Sequence, residues 1–482
     1  MIYDVLIIGG GITGAMTARL LTQYNCSVVL VEAGADIAWG ATRANSAISH
    51  AGYDAKPGTL KAKLNVRGTE LMEGICRDLS VEYKRTGSHV IAFDDDDLAH
   101  IKELYERGIA NGVPGLRLLS GDELRKMEPN VSESAVGSLY APTAGIVCPY
   151  GLAIAAAENA VTNGATVKLN FKVSGVTHEN GIYHVTNGEE TLDARYIVNA
   201  AGASADKVAA IIGEKDFPVV SNPRRGDYII LDKSYGNLAH STLFVTPSAR
   251  GKGILVSPTV HGNTIIGPNA RDVSGPDDKG TTKEGLDEII AGAKRIMPTI
   301  DTRGAITSFA GVRPTSNLPD FYLKKSEQLP NVVHAASIES PGLASSPAVA
   351  EYIVGLLRDS GLELTANPDY IKTRRKDGNP KRFADMTDCE KAAAVKADSA
   401  YGRIICRCET VTEGDIISAI HAPIPATTID MLKHRLRAGM GRCQGGFCSP
   451  RVAVLLAEAS GKTLDEVTKA GKDAWIVEKR QG

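Results

Sequence analysis

Four cysteines near the end of the chain, Cys406, Cys408, Cys443 and Cys448, form a C-x-C pair and a C-x4-C pair separated by thirty-four residues. Glycines at 439, 441, 445 and 446 flank the second pair and let backbone amides turn toward sulfur. Four thiolates are what a [2Fe–2S] cluster needs, and N–H donors aimed at the sulfurs tune its potential. Zinc is the rival occupant, since a tetrahedron of thiolates suits it equally, although structural zinc more often shows C-x2-4-C knuckles than C-x-C. Cys26, Cys76, Cys148 and Cys389 have no matching cluster and read as small buried hydrophobes or incidental thiols. At the opposite end of the chain, Gly9, Gly11 and Gly14 spell G-x-G-x-x-G, and Glu32 follows eighteen residues after the last of them. Such glycines permit a tight turn, close approach of backbone N–H groups to a pyrophosphate at a helix N-terminus, and close packing of helix on strand, while the acid accepts hydrogen bonds from ribose hydroxyls. FAD and NAD both use this turn, so the glycines alone do not choose between them.

These residues need elements to hold them. YDVLII at 3 to 8 is a β-rich run that stops at the glycines, residues 12 to 24 have helical spacing, and SVVLVE at 27 to 32 is a second strand ending in Glu32. The opening therefore reads as a βαβ unit, which implies a parallel sheet. Further strands are expected at 195 to 199, before Ala200-Ala201-Gly202, and at 331 to 336, before Ser340-Pro341-Gly342. Between these junctions, 81 to 144 is charged and mixed, and 217 to 270 carries short alternating runs (DYIILD, GILVS, NTIIG) that suit an antiparallel sheet. The fold class expected is α/β: a Rossmann-like dinucleotide-binding domain (about 1–80, 145–216 and 305–364) interrupted by an α+β substrate domain (about 81–144 and 217–304). A polar, basic linker or wrap-around segment spans 365–400, and a small helical cysteine module spans 401–482.

At 482 residues, two or three domains are expected. Lysine plus arginine (54) nearly balance aspartate plus glutamate (56) without long single-sign blocks, which argues against nucleic acid or a charged membrane surface as partner. No apolar run approaches the length of about eighteen residues needed to span a membrane, and the first residues lack the basic region of a signal peptide. A cytoplasmic location is the expectation, and cysteines crowded into one segment favour metal or redox chemistry over disulfides.

DVLIIGGGITG at the N-terminus, VNAAG at 198 to 202 and GVRP at 311 to 314 resemble the FAD-dependent D-amino-acid oxidase superfamily, and the resemblance selects FAD over NAD. NSAISHAGYDAKPGTLKAKL at 45 to 64 and NGVPGLRLLSGDELRKMEP at 111 to 129 look like L-2-hydroxyglutarate oxidases and dehydrogenases. CRCETVTEGDI at 406 to 416 and GMGRCQGGFCSPR at 439 to 451 instead resemble the ferredoxin-like module that ends the A subunit of anaerobic glycerol-3-phosphate dehydrogenase. The architecture as a whole resembles that of the glycerol phosphate enzymes.

The resemblance implies FAD on Gly9, Gly11, Gly14, Glu32, Ala201 and Gly202, with Pro341, Gly342 and Leu343 in a turn under the flavin pyrimidine. It also implies a [2Fe–2S] cluster on the four cysteines. Arg313, in G-V-R-P, corresponds to an arginine that grips the substrate anion, and a guanidinium fork suits carboxylate or phosphate. A structural ion pair is the alternative. His50, in S-H-A-G, corresponds to a histidine beside the flavin that can take the hydroxyl proton, pack on the ring system or bond to it covalently. His261 reads as a turn residue, and Arg225 has no assigned contact.

One position departs from the glycerol phosphate pattern: Asp54 stands where those enzymes carry an arginine. A carboxylate there repels phosphate unless Lys56 or another cation replaces the lost charge. The activity expected is oxidation of glycerol 3-phosphate, with L-2-hydroxyglutarate or another small 2-hydroxy acid as the alternative substrate. A cluster beside a flavin implies a dehydrogenase whose electrons leave to a partner flavoprotein or iron–sulfur subunit. A zinc-stabilised docking module on an ordinary oxidase is the competing arrangement.

Overall fold

The computed structural model describes residues 1–246 and 253–478. The stretch 247–252 inside the expected substrate part and the last four residues of the expected module lie outside the described residues. The first strand, Ile2–Ile8, is the centre of the larger parallel arrangement. Val28–Val31 pairs with it on one side (Val5 opposite Val28) and Thr191–Asn199 on the other (Val5 opposite Tyr196), both parallel. Val332–Ala336 adds a fourth parallel strand beyond Thr191–Asn199, and Thr166–Lys168 extends the sheet past Val28–Val31.

Both faces of this sheet are covered, which is why its strands read as unbroken apolar runs. Val5 and Ile7 enter one core cluster and Leu6 and Ile8 the opposite one. On the first face lie the helices Ile12–Leu21, Leu60–Leu79, Pro149–Thr162 and Gly342–Arg358, packed against one another. Gly68 lets two of them meet closely, because a Cβ there would run into the Ala344 carbonyl.

The second sheet has nine strands among the described residues and holds strands from both segments expected to form the substrate part. Its pairings are antiparallel with one exception: Thr242–Val245 runs parallel to Ser88–Ala92. That pair joins the two separate insertions, so no hairpin links it and antiparallel geometry is not imposed. Ala305–Arg313, grouped from sequence with the dinucleotide-binding part, pairs along its length with Arg224–Leu231 in this second sheet. Only Ala310, Gly311 and Val312 of its nine residues are buried, whereas Val28–Val31 and Val332–Ala336 in the parallel sheet are buried throughout.

The segment after Arg358 wraps around the first domain. Asn159 donates to the carbonyls of Ile371 and Thr373, and Arg374 pairs with Glu158 at 2.8 Å. One capped helix, Asp388–Ala397, interrupts the segment. The cysteine module that follows has a short hairpin, Ile404–Cys406 with Val411–Thr412, and the helices Glu413–Ile420, Ile429–Leu436 and Ser449–Ser460. They close over a core of their own that includes Ile416, Met431, Leu432, Val452 and Leu456.

A buried ion pair fixes the module to the domain of the parallel sheet. Arg435 grips Asp36 with both terminal nitrogens, at 2.8 and 3.0 Å, and approaches Glu158 at 3.9 Å, with the three side chains at most 3% exposed. Asp36 lies four residues beyond Glu32, so the clamp closes beside the nucleotide loop. Removing one member of a buried pair strands the charge of the other. Arg435→Met is therefore expected to destabilise the protein by about 3–5 kcal/mol, measured as a lowered thermal midpoint. Cutting the exposed Arg303–Asp301 pair should leave that midpoint in place.

Candidate functional site

One cavity of about 1880 Å³ runs from the N-terminal glycines, across the seam between the sheets, to the cysteine module. A site for one ligand commonly measures about 300–1,000 Å³, so this space suits a dinucleotide together with a small substrate. Eleven lysines and arginines line it against seven aspartates and glutamates, a surplus that favours anionic occupants.

The cradle at its first end is built from backbone. Gly9 has φ of 114°, and a Cβ on it would meet the Ala200 carbonyl; a Cβ on Gly14 would meet the Gly9 carbonyl. Gly11 caps the helix Ile12–Leu21, whose positive N-terminal end faces the cavity. Both oxygens of Glu32 accept backbone N–H groups, from Gly10 and Gly34, each at 2.7 Å. Burial pushes the Glu32 carboxyl up, and those two N–H groups oppose the shift. Ala201 and Gly202 line the same end, at the close of Thr191–Asn199. Pro341, Gly342 and Leu343 line the cavity too, but Gly342 and Leu343 already belong to a helix: Pro341 is its N-cap, so a second helix N-terminus opens here where the sequence predicted a turn. Bare glycine backbone, two helix N-termini and the held acid fit the pyrophosphate, ribose and flavin of FAD.

His50 and Arg313 line the cavity between the sheets. The His50 carbonyl is held by Thr69 at 2.6 Å and by Asn65, and its ring stacks on Phe244 with centroids 5.8 Å apart. Arg313 ends Ala305–Arg313 and is anchored through one nitrogen to the Asn269 carbonyl at 2.8 Å. Room for it comes from Gly226, where a Cβ would lie 2.5 Å from that nitrogen. Tyr228 and Phe309, stacked 4.8 Å apart, form an aromatic wall nearby, and Tyr228 reaches Ser46 at 3.4 Å. The two neighbouring arginines are committed elsewhere. Arg224 pairs with Asp272 at 2.8 Å, and Arg225 pairs with Asp278 at 2.6 Å and Asp227 at 3.4 Å. Asp54 lines the cavity with Lys56 exposed beside it, while Arg107 holds the Asp54 backbone carbonyl at 2.8 Å.

His261 lies in the turn Thr259–Asn263, as expected, at the seam with the cysteine module. Burial, and then the charges of Arg437 and Arg382, hold its imidazole well below the ordinary histidine range and therefore neutral.

The structure also places residues of the module on the cavity wall that sequence reasoning did not single out: Asp430, Lys433, His434, Arg437, Met440 and Gln444. Arg437 pairs with Glu409 at 2.9 Å in a buried contact and reaches Asn263 and Tyr150 at 3.4 Å. Gln444 follows Cys443, so the cavity reaches to one residue from that thiol.

The thiols stand as two pairs. Cys408 and Cys443 are 3.9 Å apart at sulfur. Cys406 is drawn well below the ordinary thiol range by a hydrogen bond from Cys448, helped by the backbone N–H groups of Gly439 and Glu409. N–H groups of Phe447 and Gly445 act likewise on Cys443. Among the described residues no three such groups converge on the position of a single ion. Two thiol pairs with backbone N–H donors at sulfur fit the two irons of a [2Fe–2S] centre better than one zinc.

Comparison with known proteins agrees with this geometry. Residues 4–356 match the FAD dependent oxidoreductase family, and residues 404–458 match the BFD-like [2Fe-2S] binding domain. The chain is 44% identical to a glycerol 3-phosphate dehydrogenase of Caloramator mitchellensis over 98% of both proteins. It is 31% identical to the human mitochondrial L-2-hydroxyglutarate dehydrogenase over 56% of this chain and 61% of that one. Among solved structures, the dithionite-reduced, FAD-bound L-α-glycerophosphate oxidase of Mycoplasma pneumoniae superposes with a TM-score of 0.73 at 31% identity, covering 77% of this chain and 98% of that one. Glycine cradle, acid and arginine-bearing strand all fall within the first match, and the thiol pairs within the second. The chain belongs to the FAD dependent oxidoreductase family and ends in a BFD-like [2Fe–2S] binding domain.

Proposed function

We propose that the protein is a dehydrogenase that oxidises sn-glycerol 3-phosphate to dihydroxyacetone phosphate and delivers the electrons, through its cysteine module, to a partner protein in the cytoplasm. The observation that carries the proposal is the continuity of one cavity, from the glycine cradle past His50 and Arg313 to Arg437, Met440 and Gln444 of the module. The relative with 44% identity, which shares both halves of the chain, points to the same substrate.

FAD when bound supplies the two-electron acceptor, and a [2Fe–2S] centre supplies a one-electron exit. The chain's own residues then have defined tasks. Arg313, anchored on one side by Asn269, presents its remaining donors to the substrate's anionic end. His50 takes the proton of the hydroxyl as the carbon gives up its hydride. Tyr228, Phe309 and Phe244 wall the reacting carbon from water. Glu32 holds the adenosine ribose through whatever acceptor capacity Gly10 and Gly34 leave.

L-2-hydroxyglutarate is the second reading, and Asp54 on the cavity wall is the observation that favours it. Anaerobic bleaching of the reconstituted holoenzyme at the flavin band separates the two. Glycerol 3-phosphate should bleach it fully at millimolar concentration, and L-2-hydroxyglutarate should not. Bleaching by hydroxyglutarate alone would overturn the substrate assignment and leave the FAD-dependent chemistry intact.

A further inference from the structure

The four-cysteine site has an inner and an outer side. Inward, Arg437, Met440 and Gln444 face the flavin cavity, and the Arg437–Glu409 pair closes the seam. Outward, the loop between Cys443 and Cys448 carries Phe447 at 90% exposure, while the chain's other phenylalanines are buried or half-buried. Ile404, 51% exposed, begins the hairpin that carries Cys406, and Cys408 is itself exposed. Leaving a phenyl ring in water beside a metal-ligating cysteine forgoes about 1.5–3 kcal/mol of burial, which marks a surface that is covered at some point in the working cycle.

The charge around this apolar spot has one sign in excess. Arg442 pairs with Asp232, and Arg403 and Arg451 share Glu413. Three arginines thus share two carboxylates, and a fourth, Arg407, between the first two cysteines, has no acidic partner among the described residues. Aromatic and arginine side chains are the types enriched in protein interfaces, and electron-transfer encounters use small ones, typically below about 1,200 Å².

We infer that this rim, with Phe447 and Ile404 set among Arg407, Arg442 and Arg451, is the docking face for a soluble one-electron carrier protein with an acidic surface. The inference rests on the proposed exit of electrons through the cysteine module. Each encounter moves one electron outward and makes or breaks no bond, so two carriers are reduced for each alcohol oxidised. Opposite charge steers the carrier, and the exposed ring gives the short-lived complex its apolar contact.

The test uses holoenzyme reduced with dithionite and separated from it anaerobically, so its result does not depend on which alcohol is the substrate. The protein is mixed in stopped flow with ferricytochrome c in native, basic form and in succinylated, acidic form. The acidic form should be reduced about tenfold faster at low ionic strength, with the preference lost in high salt. Arg407→Glu should remove the preference and Phe447→Ser should slow reduction of both forms, while iron content, visible spectrum and the rate with the neutral acceptor menadione stay unchanged. If Arg407→Glu loses iron, Phe447→Ser decides alone. No preference for the acidic form, or rates unmoved by either variant with iron intact, would overturn the assignment. So would binding to phosphatidylglycerol vesicles that Arg407→Glu abolishes without changing the choice of cytochrome, because the face would then belong to a lipid surface. Failure of glycerol 3-phosphate to bleach the flavin would count against the substrate proposal only.

Discussion

Cys408→Ser should lower the rate of electron delivery to a protein acceptor by about 100-fold or more while leaving substrate-dependent bleaching of the flavin band nearly untouched. Serine is a poor ligand for iron, so the variant should lose the paramagnetic signal that a [2Fe–2S] centre shows on reduction. Cys408 suits the experiment because of where it sits. It is exposed, whereas Cys406 and Cys448 belong to the module's hydrophobic core beside Val411, Leu432 and Val452. Serine at either buried position would place a hydroxyl among apolar side chains and confuse lost metal with lost folding. In the function proposed, two electrons enter on one side of the seam and leave on the other, and the cavity lined by both halves of the chain supports that route. Unchanged delivery to cytochrome c in Cys408→Ser, with iron gone, would mean that electrons leave directly from the flavin side and that the module only docks. Zinc in place of iron in the purified wild-type protein would lead to the same conclusion by a shorter path.

The parts of this site that were legible in the sequence are those whose chemistry is local. A glycine turn, the strand before it and the acid after it occupy thirty-odd consecutive residues, and each is dictated by backbone geometry that the residue types record. Spacing within the cysteine pairs is equally local. Contacts made across the chain left no such record. Arg435 and Asp36 are separated by 399 positions, and nothing near either residue marks it as half of a buried pair. Arg437 likewise stands in an ordinary helix end, RLRAGMG, although it reaches Glu409, Tyr150 and Asn263. A cation two residues ahead of the glycines that bracket the third cysteine was the available signal, but it could not say which wall the side chain would join. Ala305–Arg313 was grouped with the wrong sheet for a related reason. Strand pairing is set by which partner covers the strand, and nine residues with one short buried stretch are compatible with an edge of either sheet. Arg225 shows the reverse error risk: its family-like context attracted attention, yet Asp227 and Asp278 consume its charge.

Arg313→Ala should reduce kcat/KM for glycerol 3-phosphate by about 100- to 1,000-fold, chiefly through KM. A guanidinium that grips the anionic end does so before and during hydride departure, so its loss removes binding common to both states and spares kcat. The size follows from two charge-assisted hydrogen bonds worth about 1.5–3 kcal/mol each, less what water restores to the anion. Arg313→Lys should recover part of the loss, since the charge returns without the fork, and added guanidinium should restore activity to Arg313→Ala but not to the wild type. A purely structural role would look different. Arg313 spends one nitrogen on the Asn269 carbonyl, and losing that bond alone would lower the thermal midpoint slightly and leave KM where it was. The committed neighbours supply the contrast. Arg224→Ala, which cuts an exposed pair with Asp272, should leave KM alone, and Arg225→Met, which strands the buried Asp227, should lower stability with no KM effect in the folded fraction. Three arginines lie within ninety positions on two paired strands. Among the described residues, Arg313 alone of the three has a guanidinium not paired with a carboxylate, and a KM change confined to Arg313 is the measurement that would assign the substrate anion to it.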